Sequence, residues 1–267
     1  MSSRIEKKFE ELRGQKRAKN PAALIPFIMG FDPDLATSSA ILAALPAAGA
    51  DMIEIGMPFS DPMADGAVIQ AAGIRALAAG AKVAGIIGMV REFRERDQTT
   101  PIILMGYFNP VYRYGVEKFC VDASVAGVDG VILVDLPPEE EAEIRHYLEK
   151  TGLKLIRLIA PTSDDARLPI LAKSASGFVY YISVAGITGA KAAQTNDLEE
   201  KLAKIREYTD LPIAVGFGIK TGAQVHEVAK YADAVVVGSA LVSAIAGAGT
   251  GESAVKAASD FVKSLRQ

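Results

Sequence analysis

The chain is poor in the side chains that most often build metal and redox sites. Among its 267 residues there is one cysteine, Cys120, and there are two histidines, His146 and His226. A lone cysteine cannot form an internal disulfide, and without metal-ligand neighbours it is expected to pack as a small apolar side chain in a reducing compartment. Both histidines stand in charged helical segments, which predicts that they are solvated. We therefore expect no bound metal and no histidine-based acid–base chemistry.

The chain also lacks a strong excess of charge and a long unbroken apolar run. Its formal net charge is -3, and the basic residues are scattered, which gives no nucleic-acid footprint. The charged N-terminal stretch is unlike a secretory signal. The uncharged stretch Ala234–Gly251 is interrupted by glycines, which indicates a buried strand, a turn and a helix of small residues, not a membrane span. We expect a cytoplasmic protein that binds neither membrane nor nucleic acid.

Short apolar segments alternate with helical patterns along the chain, after an amphipathic helix over Arg4–Lys16. Parallel strands need long crossover connections, so this alternation predicts a parallel sheet. Closing the sheet gives an α/β fold, a single (β/α)8 TIM barrel over residues 1–267 with an extra N-terminal helix. An open doubly wound sheet is the alternative, although no GxGxxG follows the first strand.

Eight segments have the length and composition of the buried strands of such a barrel. They lie near Leu24–Met29, Asp51–Ile55, Ile102–Met105, Gly130–Val134, Lys154–Ala160, Gly177–Ser183, Ile213–Val215 and Ala234–Val237. The helices between them include Val116–Ala126, Glu139–Lys150 and Leu198–Tyr208. In a barrel, chemistry is carried by the loops that follow the strands.

The loop after the second strand carries an unusual group of acids. Alternation along the strand places Glu54 on the face opposite Ile53 and Ile55, and Asp61 and Asp65 follow in the loop. A carboxylate in a buried strand costs free energy unless something compensates it. Either a structural partner holds Glu54, or it performs chemistry; the two further acids on the loop side favour chemistry.

The last three predicted loops contain glycines, in the sequences GITG, GFG and GSA. Exposed backbone N–H groups and the N-terminus of a helix attract phosphate, and glycine allows close approach. Ser239 could add a hydroxyl donor. Any one of these glycines is explained as well by a tight turn or a helix cap, but three in succession predict a phosphorylated small molecule.

Six motifs occur in this order: EIGMPFSDPMADG (54–66), GYFNP (106–110), VDLP (134–137), GITG, GFGI and GSA. With them the chain resembles the tryptophan synthase alpha subunit family. The resemblance implies a lyase of tryptophan biosynthesis that cleaves indole-3-glycerol phosphate to indole and glyceraldehyde 3-phosphate without a cofactor in this subunit. It also implies a beta subunit that carries pyridoxal phosphate and receives indole in an alpha2beta2 complex.

The resemblance also implies roles for individual residues. Glu54 matches the acid–base glutamate, Asp65 an aspartate that faces the indole nitrogen, and Tyr180 an active-site tyrosine. Substrate-binding positions are Phe27, Ile69, Tyr107, Thr188, Gly189, Phe217, Gly218, Gly238 and Ser239. The beta subunit would contact the loop Asp61–Ala64, Asn109 and Pro137, and the stretch Ala185–Ala193 would be a loop that orders on binding.

One departure and two other hypotheses accompany this interpretation. After the first strand the chain reads FIMGFDP where many relatives have T-x-G-D-P, so Met29 and Phe31 are unusual. Arg157, within an apolar strand, has no assignment beyond a partner in the helical layer. The chain could instead be another phosphate-binding barrel enzyme of aromatic amino-acid biosynthesis, or a regulatory subunit that binds the ligand without efficient turnover.

Overall fold

The computed structural model describes residues 3–14, 22–182, 191–216 and 218–267, with the backbone alone over 191–196. The strands are β1 Ala23–Met29, β2 Ile53–Gly56, β3 Ile102–Gly106, β4 Gly130–Leu133, β5 Lys154–Leu155, β6 Arg157–Ile159, β7 Val179–Ile182, β8 Ile213–Gly216 and β9 Ala234–Val237. The helices are α1 Arg4–Gly14, α2 Leu35–Ala48, α3 Ala67–Ala78, α4 Val83–Arg94, α5 Phe108–Tyr114, α6 Val116–Ala126, α7 Ala142–Thr151, α8 Leu168–Ser174, α9 Lys191–Arg206, α10 Gly222–Val228, α11 Ser239–Ala248 and α12 Gly251–Ser264, with a 3-10 turn at Pro138–Glu140.

The strands of the described residues form one parallel sheet in the order β5-β4-β3-β2-β1-β9-β8-β7-β6. Strands β5 and β6 are two halves of the predicted fifth strand, separated at Ile156. The first half pairs with β4 and the second with β7, and the backbone N–H of Ile156 donates to the carbonyl of Val131 at 2.9 Å. This strand therefore joins the two edges, and the predicted TIM barrel is confirmed.

The alternation along the strands separates two apolar layers. Met52, just before β2, belongs to the inner layer, and Glu54 lines the barrel cavity, while Ile53 and Ile55 belong to the outer layer beside the helices. Glu54 thus lies on the face opposite the two isoleucines, as the sequence predicted. Ile5, Phe9 and Leu12 of α1 join the inner layer. Helix α1 thus covers the barrel end at which the strands begin and leaves the opposite end for the loops that follow the strands.

Most predicted elements are confirmed, with boundary changes that have local causes. Helix α6 has the predicted bounds, because Gly127 ends it at a φ of 92°, a conformation that other residues rarely adopt. The helix predicted over Glu139–Lys150 begins only at Ala142, after the 3-10 turn that Pro138 opens. The loop predicted over Ala185–Ala193 extends too far, because helix α9 already begins at Lys191. The rest of that loop lies outside the described residues.

The structure shows the surroundings of the lone cysteine, the two histidines and Arg157. Cys120 is buried, and burial raises the pKa of its thiol to about 12. His146 is exposed, whereas His226 is half-buried with Nδ1 2.7 Å from the carbonyl of Gly222. Arg157 finds the partners expected in the helical layer: an ion pair with Glu141, and hydrogen bonds to Ser174 Oγ at 2.9 Å and the Leu136 carbonyl at 2.6 Å.

In the described part of the chain, no single helix is long and apolar enough to cross a membrane. Helices α3 and α4 reach the required length and composition only as a pair, and the chain bends by 93° between them. The uncharged stretch after Ala234 forms β9, a turn and α11, as predicted.

Candidate active site

A cavity of about 570 Å³ opens at the barrel end where the strands finish. Side chains from nearly every strand end contribute to its wall, which is mostly apolar. The lining residues are Phe27, Glu54, Ala64, Asp65, Gly66, Ala67, Val68, Ile69, Met105, Val134, Leu158, Tyr180, Ile182, Gly218, Lys220, Gln224, Val236, Gly238 and Ser239. Most of the predicted site residues therefore meet in one place.

Glu54 lies in the inner wall of this cavity. The strand register places it beside Phe27 of β1 and Ile103 of β3, and only 2% of its surface is exposed. Among the described residues, its carboxyl group forms no hydrogen bond or ion pair. Burial, assisted by the nearby charge of Asp65, raises the pKa of Glu54 to about 8. The hypothesis of a structural partner thus finds no support in the described part of the chain.

Asp65 faces the same cavity from the loop between β2 and α3. Tyr107 supports this loop from behind: its hydroxyl accepts a hydrogen bond from the backbone N–H of Ala64 at 3.0 Å and lies close enough to the Asp65 carboxyl to favour its ionised form. Burial raises the pKa of Asp65, and the Tyr107 hydroxyl opposes that rise. Tyr107 is buried and lies outside the cavity lining, so it contacts the aspartate and not the cavity.

Tyr180 lines the cavity from β7, with its ring in the inner layer of the barrel. Burial raises the pKa of its hydroxyl well above the ordinary value, and the charge of Glu54 adds to the effect. The hydroxyl lies where a side chain on Gly216 would begin. The first glycine of GFG therefore makes room for Tyr180, which is a packing role that the sequence pattern did not reveal.

Two of the three glycine loops meet at one end of the cavity. Gly218 follows β8 with a φ of 78°, and Gly238 precedes α11, whose first residue is Ser239. The N-terminus of α11 thus opens onto the cavity with its unpaired backbone N–H groups. The predicted positions Thr188, Gly189 and Phe217 lie outside the described residues.

Lys220 and Gln224 also line the cavity, and the sequence interpretation did not include them. The side-chain oxygen of Gln224 accepts from the backbone N–H of Lys220 at 2.7 Å, and Gln224 closes a capping box with Thr221 at the start of α10. A basic residue directly after the GFGI motif was the signal that could have identified Lys220.

The two unusual residues after β1 lie away from the cavity. Met29 and Phe31 belong to the outer apolar layer, between the sheet and the helices, and neither lines the site. The wall at this strand end is formed by Phe27. The departure from the T-x-G-D-P pattern therefore alters packing behind the sheet and not the cavity surface.

The predicted contact positions for a partner follow three neighbouring strands, β2, β3 and β4, along one side of the barrel mouth. Asp61, Asn109 and Pro137 are exposed, and Met63 exposes 85% of its surface. Within the described residues, no group of three or more histidine, cysteine, aspartate or glutamate side chains is arranged to hold a metal ion.

The sequence and the fold both match proteins of one family. The family model described as "Tryptophan synthase alpha chain" covers residues 14–267. The chain belongs to the tryptophan synthase alpha chain family. In this family, it is similar to the alpha subunit from Legionella pneumophila str. Paris, with 38% identity, a TM-score of 0.90, and coverage of 100% of this chain and 98% of that one.

Two further solved structures of tryptophan synthase resemble the chain. One is the aminoacrylate-bound enzyme from M. tuberculosis, at 33% identity and a TM-score of 0.86, covering 99% of this chain and 98% of that one. The other comes from the a2b2 complex of Pyrococcus furiosus, at 37% identity and a TM-score of 0.81, covering 91% and 97%. Tryptophan synthase alpha chains thus share this barrel over nearly their whole length.

Proposed function

We propose that this chain cleaves indole-3-glycerol phosphate to indole and glyceraldehyde 3-phosphate, with Glu54 and Asp65 as the catalytic residues. The observation that carries the assignment is the Glu54 carboxyl, buried in the cavity wall without a protein partner among the described residues. A group with a pKa of about 8 can both give and take a proton near neutral pH. The glycine end of the same cavity is suited to the phosphate.

The reaction needs two proton movements. Protonated Glu54 donates to indole C3, which leaves a positive charge on the ring and its N–H. Asp65 accepts a hydrogen bond from that N–H and stabilises the charge. The Glu54 carboxylate then removes the proton of the adjacent side-chain hydroxyl, a carbonyl forms there, and the electrons of the broken carbon–carbon bond return to the ring. The products are neutral indole and the aldehyde, and Glu54 is again protonated.

Asp65 and Glu54 can divide these roles because their surroundings differ. Glu54 is buried, so its neutral form is favoured at pH 7, whereas Asp65 is half-exposed and lies close to the Tyr107 hydroxyl. The Asp65 charge itself raises the pKa of Glu54, so the aspartate ionises first. Different pKa values for two neighbouring carboxyl groups are typical of an acid–base pair.

The chain acts with a beta subunit in an alpha2beta2 complex, and the family's alpha subunit has no cofactor of its own. In our proposal the beta subunit carries pyridoxal phosphate and docks against the loop Asp61–Ala64, Asn109 and Pro137. These exposed positions lie along one side of the barrel mouth, where a docked partner would receive indole before it diffuses away. We place the complex in the cytoplasm.

Glu54→Gln tests the assignment, because glutamine keeps the size of the side chain but cannot exchange the proton. Indole release by the purified chain, with and without the beta subunit, should fall by at least about 100-fold, the low end of a general acid–base contribution. Binding of glycerol 3-phosphate should be nearly unchanged. Glu10→Gln, which neutralises an exposed carboxylate of α1, is the control and should retain full activity.

Other outcomes would contradict the proposal. Loss of both turnover and phosphate-ligand binding in Glu54→Gln would make Glu54 a structural residue. A parent chain that binds glycerol 3-phosphate but releases no indole, even with the beta subunit, would be a regulatory subunit. Turnover of a different phosphorylated substrate in place of indole-3-glycerol phosphate would identify another barrel enzyme.

A further inference from the structure

The cavity is electrically asymmetric. Three of its lining side chains carry a charge when ionised: Glu54 and Asp65 on one side, and Lys220 at the glycine end. Glu54 is mostly neutral at pH 7, so a substrate with a phosphate dianion must enter a cavity that already holds the Asp65 carboxylate. Among the described lining residues, Lys220 is the only cation that can offset this repulsion.

Lys220 is also in the right part of the cavity to meet a phosphate. It lies two residues after Gly218 and shares the lining with Gly238 and Ser239. Its backbone is fixed by the 2.7 Å hydrogen bond to Gln224, whose oxygen also accepts from the N–H of Thr221 at 3.2 Å. The start of the side chain is therefore held in place at the cavity edge.

The ammonium group of Lys220 is available for a ligand. Its side chain is exposed, and no carboxylate of the described residues forms an ion pair with it. By contrast, other lysines of the chain, such as Lys204 and Lys230, pair with neighbouring acids. An unpaired lysine at the edge of a cavity that holds the Asp65 carboxylate is what a site for an anionic ligand requires.

We propose that Lys220 binds the substrate phosphate and sets the preference of this cavity for a phosphorylated ligand. This inference rests on the proposed function. Backbone N–H groups and a helix N-terminus supply only partial charges, whereas lysine adds a full charge on a flexible stem that can follow the phosphate. The phosphate takes no part in the bond cleavage, so Lys220 contributes to binding equally in the ground state and the transition state.

This role predicts an effect on KM with little change in kcat. Lys220→Met removes the charge and keeps the length of the side chain, and it should raise the KM for indole-3-glycerol phosphate roughly tenfold. The inhibition constant of inorganic phosphate should rise by a similar factor. Because ionic attraction at an exposed site is screened by salt, KM of the parent should increase with ionic strength more steeply than KM of the variant.

Two further variants separate charge from other effects. Lys220→Arg keeps the charge and should hold KM within about threefold of the parent value, since guanidinium also binds phosphate. Lys82→Met removes the charge of an exposed lysine outside the cavity lining and should leave KM, the phosphate inhibition and the salt dependence unchanged. Circular dichroism and thermal unfolding confirm that each variant is folded.

The outcomes also separate this inference from the proposed function. An active parent whose KM, phosphate inhibition and salt dependence are all unaffected by Lys220→Met would overturn the role of Lys220 and leave the lyase assignment intact. The same conclusion follows if Lys220→Met lowers kcat alone. A parent that releases no indole from indole-3-glycerol phosphate with its partner would instead overturn the proposed function.

Discussion

Phe31 and Gly85 fit together as a pair behind the sheet. Phe31 has a φ of 69°, in the left-handed region where residues other than glycine are uncommon, and its ring is buried against α4. A Cβ atom on Gly85 would lie 2.6 Å from Cζ of Phe31. The absence of a side chain at Gly85 therefore creates the space that the ring occupies.

The pair predicts strongly coupled effects on stability. Gly85→Ala should lower the free energy of unfolding by about 1–3 kcal/mol, because the methyl group overlaps the ring. Phe31→Gly relieves the backbone strain but leaves a cavity, for a net loss of about 2–4 kcal/mol. The double variant should lose less than the sum of the two, since the new methyl group enters the vacated space.

Denaturant unfolding of the four proteins measures this coupling, which we expect to be about 0.5–3 kcal/mol. Gly88→Ala, on the same helix, has open space at its Cβ position and is the control. Strict additivity of Gly85→Ala and Phe31→Gly would show that the two positions do not depend on one another.

Glu54 lowers the stability of the chain as the pH rises. The pKa of Glu54 is about 8 in the folded chain, and its ordinary value of 4.5 applies to the unfolded chain. Between pH 4.5 and pH 8 the folded chain therefore binds more protons than the unfolded one. The free energy of unfolding contributed by this group is therefore present below pH 4.5 and is lost as the pH rises toward 8. At pH 7 the loss is roughly 3 kcal/mol, from about 1.4 kcal/mol per pKa unit.

Glu54→Gln should thus become more stable relative to the parent between pH 5 and pH 8, although it loses activity. Urea unfolding at several pH values measures the difference. Glu10→Gln, at an exposed position, should show no such trend. A constant difference between Glu54→Gln and the parent over this range would mean that the carboxyl group is not buried in neutral form.

The positions of the site residues could be predicted from the sequence where they depended on the alternation of side chains along a strand. Successive side chains of a strand point to opposite faces, so Glu54 points into the barrel if the isoleucines on either side of it face the helices. The predicted strand ends then bring Phe27, Asp65 and Tyr180 to the same rim. The eight strands followed from buried apolar segments, because their lengths and spacing fit helical crossovers.

Contacts between distant segments were not readable in this way. The hydrogen bond of Tyr107 to the Ala64 backbone joins two loops 43 residues apart, and its geometry depends on how both loops fold. The break at Ile156 and the space that Gly216 leaves for Tyr180 likewise depend on barrel closure. Lys220 was not predicted because the phosphate site was inferred from the glycines of the motif and not from the residue that follows it.

A cluster of charges ties the beginning of β4 to its neighbours at the opposite end of the barrel. Asp129 accepts hydrogen bonds from the backbone N–H of Ile102 at 2.8 Å, from Arg94 at 2.8 Å and from Arg4 at 3.0 Å. Arg94 and Asp129 are both almost fully buried. Removal of the aspartate would leave the Arg94 charge buried without its carboxylate partner.

Asp129→Ala should therefore lower the free energy of unfolding by about 3–5 kcal/mol. Asp233 makes the matched comparison, because it accepts from the backbone N–H of Ile213 and pairs with Arg206, both at 2.9 Å, at a more exposed position. Asp233→Ala should cost only about 1–2 kcal/mol. Equal losses in the two variants, measured by urea unfolding at pH 7, would contradict the importance that we give to burial.

Tyr107 favours the ionised form of Asp65, which in our proposal stabilises the indole cation. Its hydroxyl lies close to the Asp65 carboxyl and lowers the pKa of that group against the effect of burial. Tyr107→Phe removes this hydroxyl and leaves the backbone N–H of Ala64 without its acceptor. The pKa of Asp65 should rise, so a larger fraction of the aspartate is protonated and unable to stabilise the indole cation.

The acid limb of kcat/KM should therefore move to higher pH in Tyr107→Phe, and at a pH on that limb kcat/KM should fall roughly tenfold for a shift of about one pKa unit. Tyr112→Phe, at a tyrosine with 58% exposure on α5, should leave the profile unchanged. A merely structural role of Tyr107 would lower kcat/KM equally at every pH. An acid limb that stays in place while the rate falls would thus contradict the coupling between Tyr107 and Asp65.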